Sequence, residues 1–125
     1  MILGLGSDII EIERIEEAIK KHGQAFLDRL FTLEEQKYCQ SFKNSSQHFA
    51  GRFAAKEAVA KALGTGINKN FGWLDITITN DPQGKPSAQL SPSAQKQFQN
   101  PQLLITISHC KQYATATCIV LNSEY

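Results

Sequence analysis

Between Gln47 and Leu63 the chain places alanine at positions 50, 54, 55, 58, 60 and 62 in a periodic run, which Gly64-Thr65-Gly66 closes. Alanine is the best helix former and glycine a common terminator, so this stretch predicts one long helix. A helix that is small and apolar on most sides belongs inside a domain, with other elements packed closely around it. Arg52, Lys56, Glu57 and Lys61 interrupt its apolar surface. Charges on a closely packed helix need partners or a function.

The flanking sequence supplies the packing partners. Residues 2–9 read as a short buried strand in which Gly4 and Gly6 allow another backbone to approach closely. Ile12, Ile15 and Ile19 recur at helical spacing, predicting an amphipathic helix over about 11–22 with Gly23 as its stop. Thr32 with Glu35 reads as a capping box that opens a helix through about Phe42, followed by the polar loop Lys43-Asn44-Ser45-Ser46. Leu74, Ile76 and Ile78 alternate with polar residues, predicting a half-buried strand. Asp81-Pro82-Gln83-Gly84 is a turn, and a short strand follows around Ser87–Leu90. Ser91-Pro92 has the cap-then-proline order of a helix start, ending near Phe98. Leu103–Ser108 and Tyr113–Leu121 read as two strands. The order β-α-α-α-β-β-α-β-β makes an α+β domain with a largely antiparallel sheet. No linker, repeat or low-complexity run interrupts residues 1–125, so one domain is expected.

The chain has 125 residues, 42% of them hydrophobic and 20% charged. At that length roughly two-thirds of the unfolded surface is buried, enough for a core without staples. Thirteen basic against 12 acidic residues leave a net charge of +1, which argues against nucleic acid as a partner. Cys39, Cys110 and Cys118 fit neither a disulfide framework nor a zinc knuckle and are expected to be reduced thiols. No run approaches the ~18 apolar residues of a membrane span, and Asp8 breaks the apolar start as no signal peptide would. A cytoplasmic protein with no membrane partner is expected.

Candidate chemistry concentrates in few places. Glu57 and Lys61 stand four apart on one helix face, either as a surface ion pair or as a functional pair. Asp8, at the end of a glycine-spaced strand, either caps the following helix or contributes a carboxylate to a site. A carboxylate on a strand and one on a helix suit Mg²⁺, which keeps positions open for water and phosphate. Gly84-Lys85-Pro86 reads as a hairpin turn, and Ser108-His109 as a strand end with a solvated or capping histidine. A P-loop, a Gly-x-Ser-x-Gly elbow, a His-Glu-x-x-His site and a dinucleotide fingerprint are all missing.

Taken together these segments resemble the bacterial holo-[acyl-carrier-protein] synthase family of 4′-phosphopantetheinyl transferases. Gly6-Ser7-Asp8-Ile9 with Ile12-Glu13-Arg14-Ile15 is similar to its N-terminal signature. Arg52-Phe53-Ala54-Ala55-Lys56-Glu57-Ala58 with Lys61-Ala62-Leu63-Gly64-Thr65-Gly66 is similar to its central one. Phe26, Arg29 and Thr32–Glu35 match the region between, and Gly84-Lys85-Pro86, Ile107-Ser108-His109 and Tyr113-Ala114 match later blocks.

The resemblance implies transfer of the phosphopantetheine arm of coenzyme A to a serine of apo acyl carrier protein, in support of fatty-acid biosynthesis. It makes Asp8 and Glu57 ligands of Mg²⁺, Glu57 and Lys61 the catalytic pair, and Lys61 the holder of the pyrophosphate. Arg52, Lys56, Gly64, Gly84, Lys85, Pro86, Ser108 and His109 would line or contact the coenzyme. Arg14, Lys21 and Arg29 would dock the acidic carrier, although Glu11, Glu13, Glu16 and Glu17 surround Arg14. The implied fold is that of the family: a long helix packed on a small antiparallel sheet, in a single-domain subunit of a homotrimer whose active sites are shared between neighbours. Two other readings predict different behaviour. A non-catalytic oligomeric binding module would show no metal dependence, and a metal-dependent phosphohydrolase would cleave coenzyme A without a carrier.

Overall fold

Strand pleat sends successive side chains to opposite faces, and in β1 (Ile2–Glu11) it turns Gly4, Gly6, Asp8 and Ile10 inward and leaves Leu3, Leu5 and Ile9 exposed. This strand opens a computed structural model that describes residues 1–123. β1 is followed by α1 (Ile12–His22), α2 (Gln24–Leu30), α3 (Leu33–Gln40) and α4 (Ser45–Leu63). A 3-10 turn (Trp73–Asp75) leads into β2 (Ile76–Asn80) and β3 (Pro86–Leu90), then α5 (Pro92–Gln97), β4 (Gln102–His109) and β5 (Tyr113–Leu121).

The strands form two antiparallel sheets, a three-stranded one in the order β1-β5-β4 and the hairpin β2-β3. The long central helix α4 packs on the larger sheet, as the α+β reading required. Its 19 residues are buried over most of their circumference because alanine leaves no side chain to hold neighbours off. The facing residues of β5, Ala114, Ala116 and Cys118, are equally small and almost wholly buried. β1 comes closest of all. A Cβ on Gly4 would stand 2.0 Å from the carbonyl oxygen of Ala62, and one on Gly6 would stand 2.3 Å from that of Ala58. Only glycine fits at these two positions.

A second cluster of Ile15, Leu27, Leu30, Phe31, Cys39 and Phe49 joins α1, α2 and α3 to the first half of α4. The Phe31 and Phe49 rings pack 5.0 Å apart, each burial contributing about 1.5–3 kcal/mol. The capping box is formed: the Thr32 hydroxyl accepts from the Glu35 N–H, and the Glu35 carboxylate accepts from the Thr32 N–H.

Three expectations change in detail. Four helices, not the three expected, precede β2: Gly23 stops α1 as expected, but α2 starts directly after it, with Gly23 at φ 59 between the two. β1 continues to Glu11, which is the residue before α1 and makes no side-chain cap bond, so Asp8 lies within a strand and caps nothing. Leu74 sits in the 3-10 turn and is 49% exposed, where the alternation had placed it inside. The three cysteines are free, and among the described residues no helix is long and apolar enough to cross a membrane.

Candidate active site

The close approach forced by Gly4 and Gly6 sets Asp8, the next inward residue of β1, beside the last turns of α4. Lys61 Nζ donates to Asp8 Oδ1 at 3.0 Å and to the Ser7 carbonyl at 3.1 Å. The Asp8 side chain is only 14% exposed, whereas that of Lys61 is half exposed. A pair this open to water stabilises the fold by at most about 1 kcal/mol. Glu57, one turn earlier on α4, is half-buried. Its carboxyl is raised above the ordinary glutamate range, first by burial and then by the Asp8 charge, with Lys61 opposing.

Two carboxylates close enough to repel, with one lysine beside them, form an electrostatically frustrated group. The donor set fits Mg²⁺, a hard cation that accepts one or two protein carboxylates and keeps the remaining positions for water and phosphate oxygens. Among the described residues no group of three or more His, Cys, Asp or Glu gathers to hold a metal through protein ligands alone. A two-ligand site completed by substrate is therefore the arrangement these residues support.

A second locus lies earlier on α4, at Arg52, five residues before Glu57 and nine before Lys61, about 7 and 14 Å along the helix axis. There Arg52, His109, Gly84 and Pro86 line a cleft of about 180 Å³ together with Tyr38, His48 and Asn80. Arg52 is 4% exposed. Its Nη2 donates to the Ile78 carbonyl and to Asn80 Oδ1, and the guanidinium covers the Tyr38 ring at 4.2 Å. Its Nε is buried without a partner. The Asp81–Lys85 turn is tied by Asp81, whose carboxylate accepts from the N–H groups of Gln83 and Lys85, and Gly84 takes φ 92 at its tip.

The remaining expected site residues lie elsewhere. Lys56 is a correction: it is fully buried, and its Nζ donates to Glu35 Oε1 at 2.7 Å and to the carbonyls of Leu30 and Trp73. With all three protons engaged it has none for a coenzyme phosphate. Burial pushes its ammonium below the usual lysine range while Glu35 pushes it back. Ser108 points to the outer face of the sheet, opposite His109, and does not enter the cleft. Gly64 ends α4 with φ 86, and Lys85 is exposed beside the cleft without lining it. Arg14 and Lys21 are exposed on α1, and Arg29 is exposed on α2 beside His22 and Phe26. Tyr38, His48 and Asn80 were not legible as site residues. Only the four-residue spacing of His48 and Arg52, one helix face, hinted at a shared role.

This α+β architecture, a long helix packed on a small antiparallel sheet, is that of the phosphopantetheinyl transferase class. The model of the 4′-phosphopantetheinyl transferase superfamily matches residues 4–118, and the chain belongs to that family. Among its relatives, the holo-[acyl-carrier-protein] synthase of Protochlamydia amoebophila is 57% identical over 119 residues, covering 95% of this chain and 98% of that protein. The fold is similar to that of Helicobacter pylori holo-[acyl-carrier-protein] synthase in complex with coenzyme A, with a TM-score of 0.86 and 38% identity across 93% of this chain and 98% of that one. It is likewise similar to a holo-(acyl-carrier-protein) synthase from Bacillus anthracis in complex with CoA (3′,5′-ADP), at a TM-score of 0.85 and 39% identity, covering 98% and 99%.

Proposed function

We propose that this protein is a holo-[acyl-carrier-protein] synthase, moving the 4′-phosphopantetheine arm of coenzyme A to a serine of apo acyl carrier protein in fatty-acid biosynthesis. The observation that carries the reading is the meeting of Asp8, Glu57 and Lys61 at the β1–α4 contact, in a chain whose relatives bear that name. The serine oxygen attacks the phosphorus bearing the pantetheine arm, the pyrophosphate bond breaks, and adenosine 3′,5′-bisphosphate leaves. Glu57, directly or through a bound water, is placed to accept the serine proton as general base. Lys61 supplies a fixed positive charge to the pyrophosphate. Asp8 holds that lysine in place and, with Glu57, would bind Mg²⁺, which neutralises charge on the transferring phosphates when present.

The cleft at Arg52 and His109 is the complementary, coenzyme-binding half of the site. Both halves come into one site when two subunits meet. Leu5, Ile119 and Leu104 run side by side across the three strands, with Leu5 68% and Leu104 49% exposed, an apolar row that a neighbouring copy would cover. We therefore read the chain as one domain of a cytoplasmic homotrimer, with the exposed Arg14, Lys21 and Arg29 turned to an acidic carrier.

Intact-protein mass spectrometry tests the reaction. Apo acyl carrier protein incubated with this protein, coenzyme A and Mg²⁺ gains the mass of one phosphopantetheine arm, and EDTA abolishes the gain. Coenzyme A cleavage without a carrier would instead mark a phosphohydrolase, and binding without turnover a binding module.

A further inference from the structure

His48 is the residue of the Arg52 cleft that the transferase reading leaves without work. It sits in the first turns of α4, four residues before Arg52 and on the same face. Its imidazole stacks on the Phe42 ring at 3.7 Å and 17°, and the Tyr38 ring meets it edge-on at 6.1 Å. Those two aromatics fix the plane of the ring. The His109 ring of β4 stands 5.5 Å away, and Arg52 lines the same cleft.

The charge of this cleft is one-sided. Of its nine lining residues none is acidic, while Arg52, His48 and His109 are cationic or become so on protonation. The nearby N-terminus of the 19-residue α4 adds the positive end of its dipole. Arg52 keeps one buried nitrogen without a partner. Tyr38 from α3, Arg52 from α4 and His109 from β4 are the titratable or charged groups that face His48.

Resting on the coenzyme as substrate, we propose that His48 is a specificity-determining contact for a phosphomonoester of that coenzyme, and that it takes up a proton as the phosphate enters. A terminal phosphate presents three free oxygens, which Arg52, His48 and His109 match one to one, whereas each phosphorus of a pyrophosphate presents two. Burial, and then the charges of His109 and Arg52, hold His48 below the usual histidine range. An arriving dianion cancels the two neighbouring charges and favours imidazolium. Proton uptake on binding means that affinity rises as pH falls, until the phosphate itself protonates near pH 6.

Isothermal titration calorimetry with coenzyme A and with its 3′-dephospho form, from pH 6.5 to 8, tests this in buffers of different ionisation enthalpy. Wild-type protein is expected to bind coenzyme A about five- to tenfold more tightly at pH 6.5 than at pH 8, with proton uptake. His48→Phe keeps the stack on Phe42 and is expected to lose about half of that proton uptake and three- to fivefold in affinity at pH 6.5. The dephospho form is expected to bind both proteins alike, with little pH dependence. His48→Gln is the second variant, and thermal melts verify that each one folds. A variant with wild-type affinity and proton uptake overturns the role of His48. A dephospho form that retains the His48-dependent slope overturns the phosphomonoester. Wild-type protein that binds no coenzyme A overturns the transferase reading along with it.

Discussion

Lys61 Nζ lies 3.0 Å from Asp8 Oδ1, bridging α4 to β1 beyond the place where Gly6 brings the two backbones together. The ion pair is half exposed and weak as a fold determinant, so its value is positional. It keeps Asp8 facing Glu57 despite their mutual repulsion. Glu57→Gln is expected to fold with a melting temperature at or above wild type, because it removes a half-buried charge repelled by Asp8, and Asp8→Asn to stay within about 1 kcal/mol of wild type, because relief of that repulsion is offset by loss of the Lys61 pair. Turnover in the mass-spectrometric assay should fall at least ~100-fold, the usual scale for losing an acid–base group. Wild-type rates in Glu57→Gln with Mg²⁺ present would remove this residue from the chemistry.

The glycines of β1 are as important to the site as its charged residues. Gly6→Ala places a methyl 2.3 Å from the Ala58 carbonyl and 2.6 Å from the Ala62 nitrogen, both backbone atoms that cannot step aside. Overpacking of this kind costs about 1–3 kcal/mol. The strand must also move away from α4, taking Asp8 with it. A drop in melting temperature together with a loss of turnover is expected; an unchanged denaturation midpoint would show that the contact is softer than its geometry.

Much of this was readable in advance. The alanine run specified α4, the alternation through Ile76 and Ile78 specified β2, and Thr32 with Glu35 specified the capping box. Lys56 was not readable as an internal residue. It neighbours Glu57 in sequence, but it turns about 100° away around the helix, and its partner Glu35 lies 21 residues earlier. Likewise α2 has seven residues and no side-chain cap, so only its burial of Leu27 and Leu30 against Phe31 and Phe49 defines it. His48 joins the cleft only because Phe42 and β4 fold over it. In each case the missing information is a long-range contact, which local pattern does not encode.

The buried Lys56–Glu35 pair predicts a stability effect where a coenzyme contact had been expected. Glu35 also accepts from the N–H groups of Thr32 and Ile78, so the pair pins α3 and β2 to α4. Lys56→Met leaves the carboxylate buried and unpaired and is expected to destabilise by about 3–5 kcal/mol in urea titrations. The double variant Lys56→Met with Glu35→Gln should recover a large part of that loss. Coenzyme A affinity of the double variant should stay within about twofold of wild type, whereas a coenzyme contact at Lys56 would weaken it roughly tenfold or more.

Thiol chemistry separates the three cysteines. Burial pushes the thiols of Cys39 and Cys118 up to about 12. Cys110 is exposed, and N–H groups of Gln112 and Tyr113 stabilise its thiolate and lower its pKa. At pH 8 a maleimide or disulfide reagent should label Cys110 alone, with the other two reacting only after denaturation. The buried pair also links stability to alkali. Unfolded, these thiols ionise near pH 9.0, but the fold holds their protons until about 12. Their contribution is therefore complete below pH 9 and falls away as pH rises through that window, which urea midpoints at pH 8 and pH 10 would reveal.

Sharing of the site between copies predicts complementation. Along α4, Arg52 of the cleft lies about 7 Å from Glu57 and about 14 Å from Lys61 of the Asp8–Glu57–Lys61 group. In a cyclic assembly one subunit's charged group would work with its neighbour's cleft. Asp8→Ala destroys the first half, and Arg52→Met, which keeps the packed stem, destroys the second. Neither homo-oligomer should turn over. Mixed in equal amounts under conditions that exchange subunits, the two variants should regain about a quarter of wild-type activity, because random assembly pairs an intact group with an intact cleft at about one site in four. Leu5→Glu, which puts a charge in the apolar row, should yield monomers in sedimentation analysis and abolish the recovery. No regain in a mixture shown to have exchanged subunits would place both halves within a single chain.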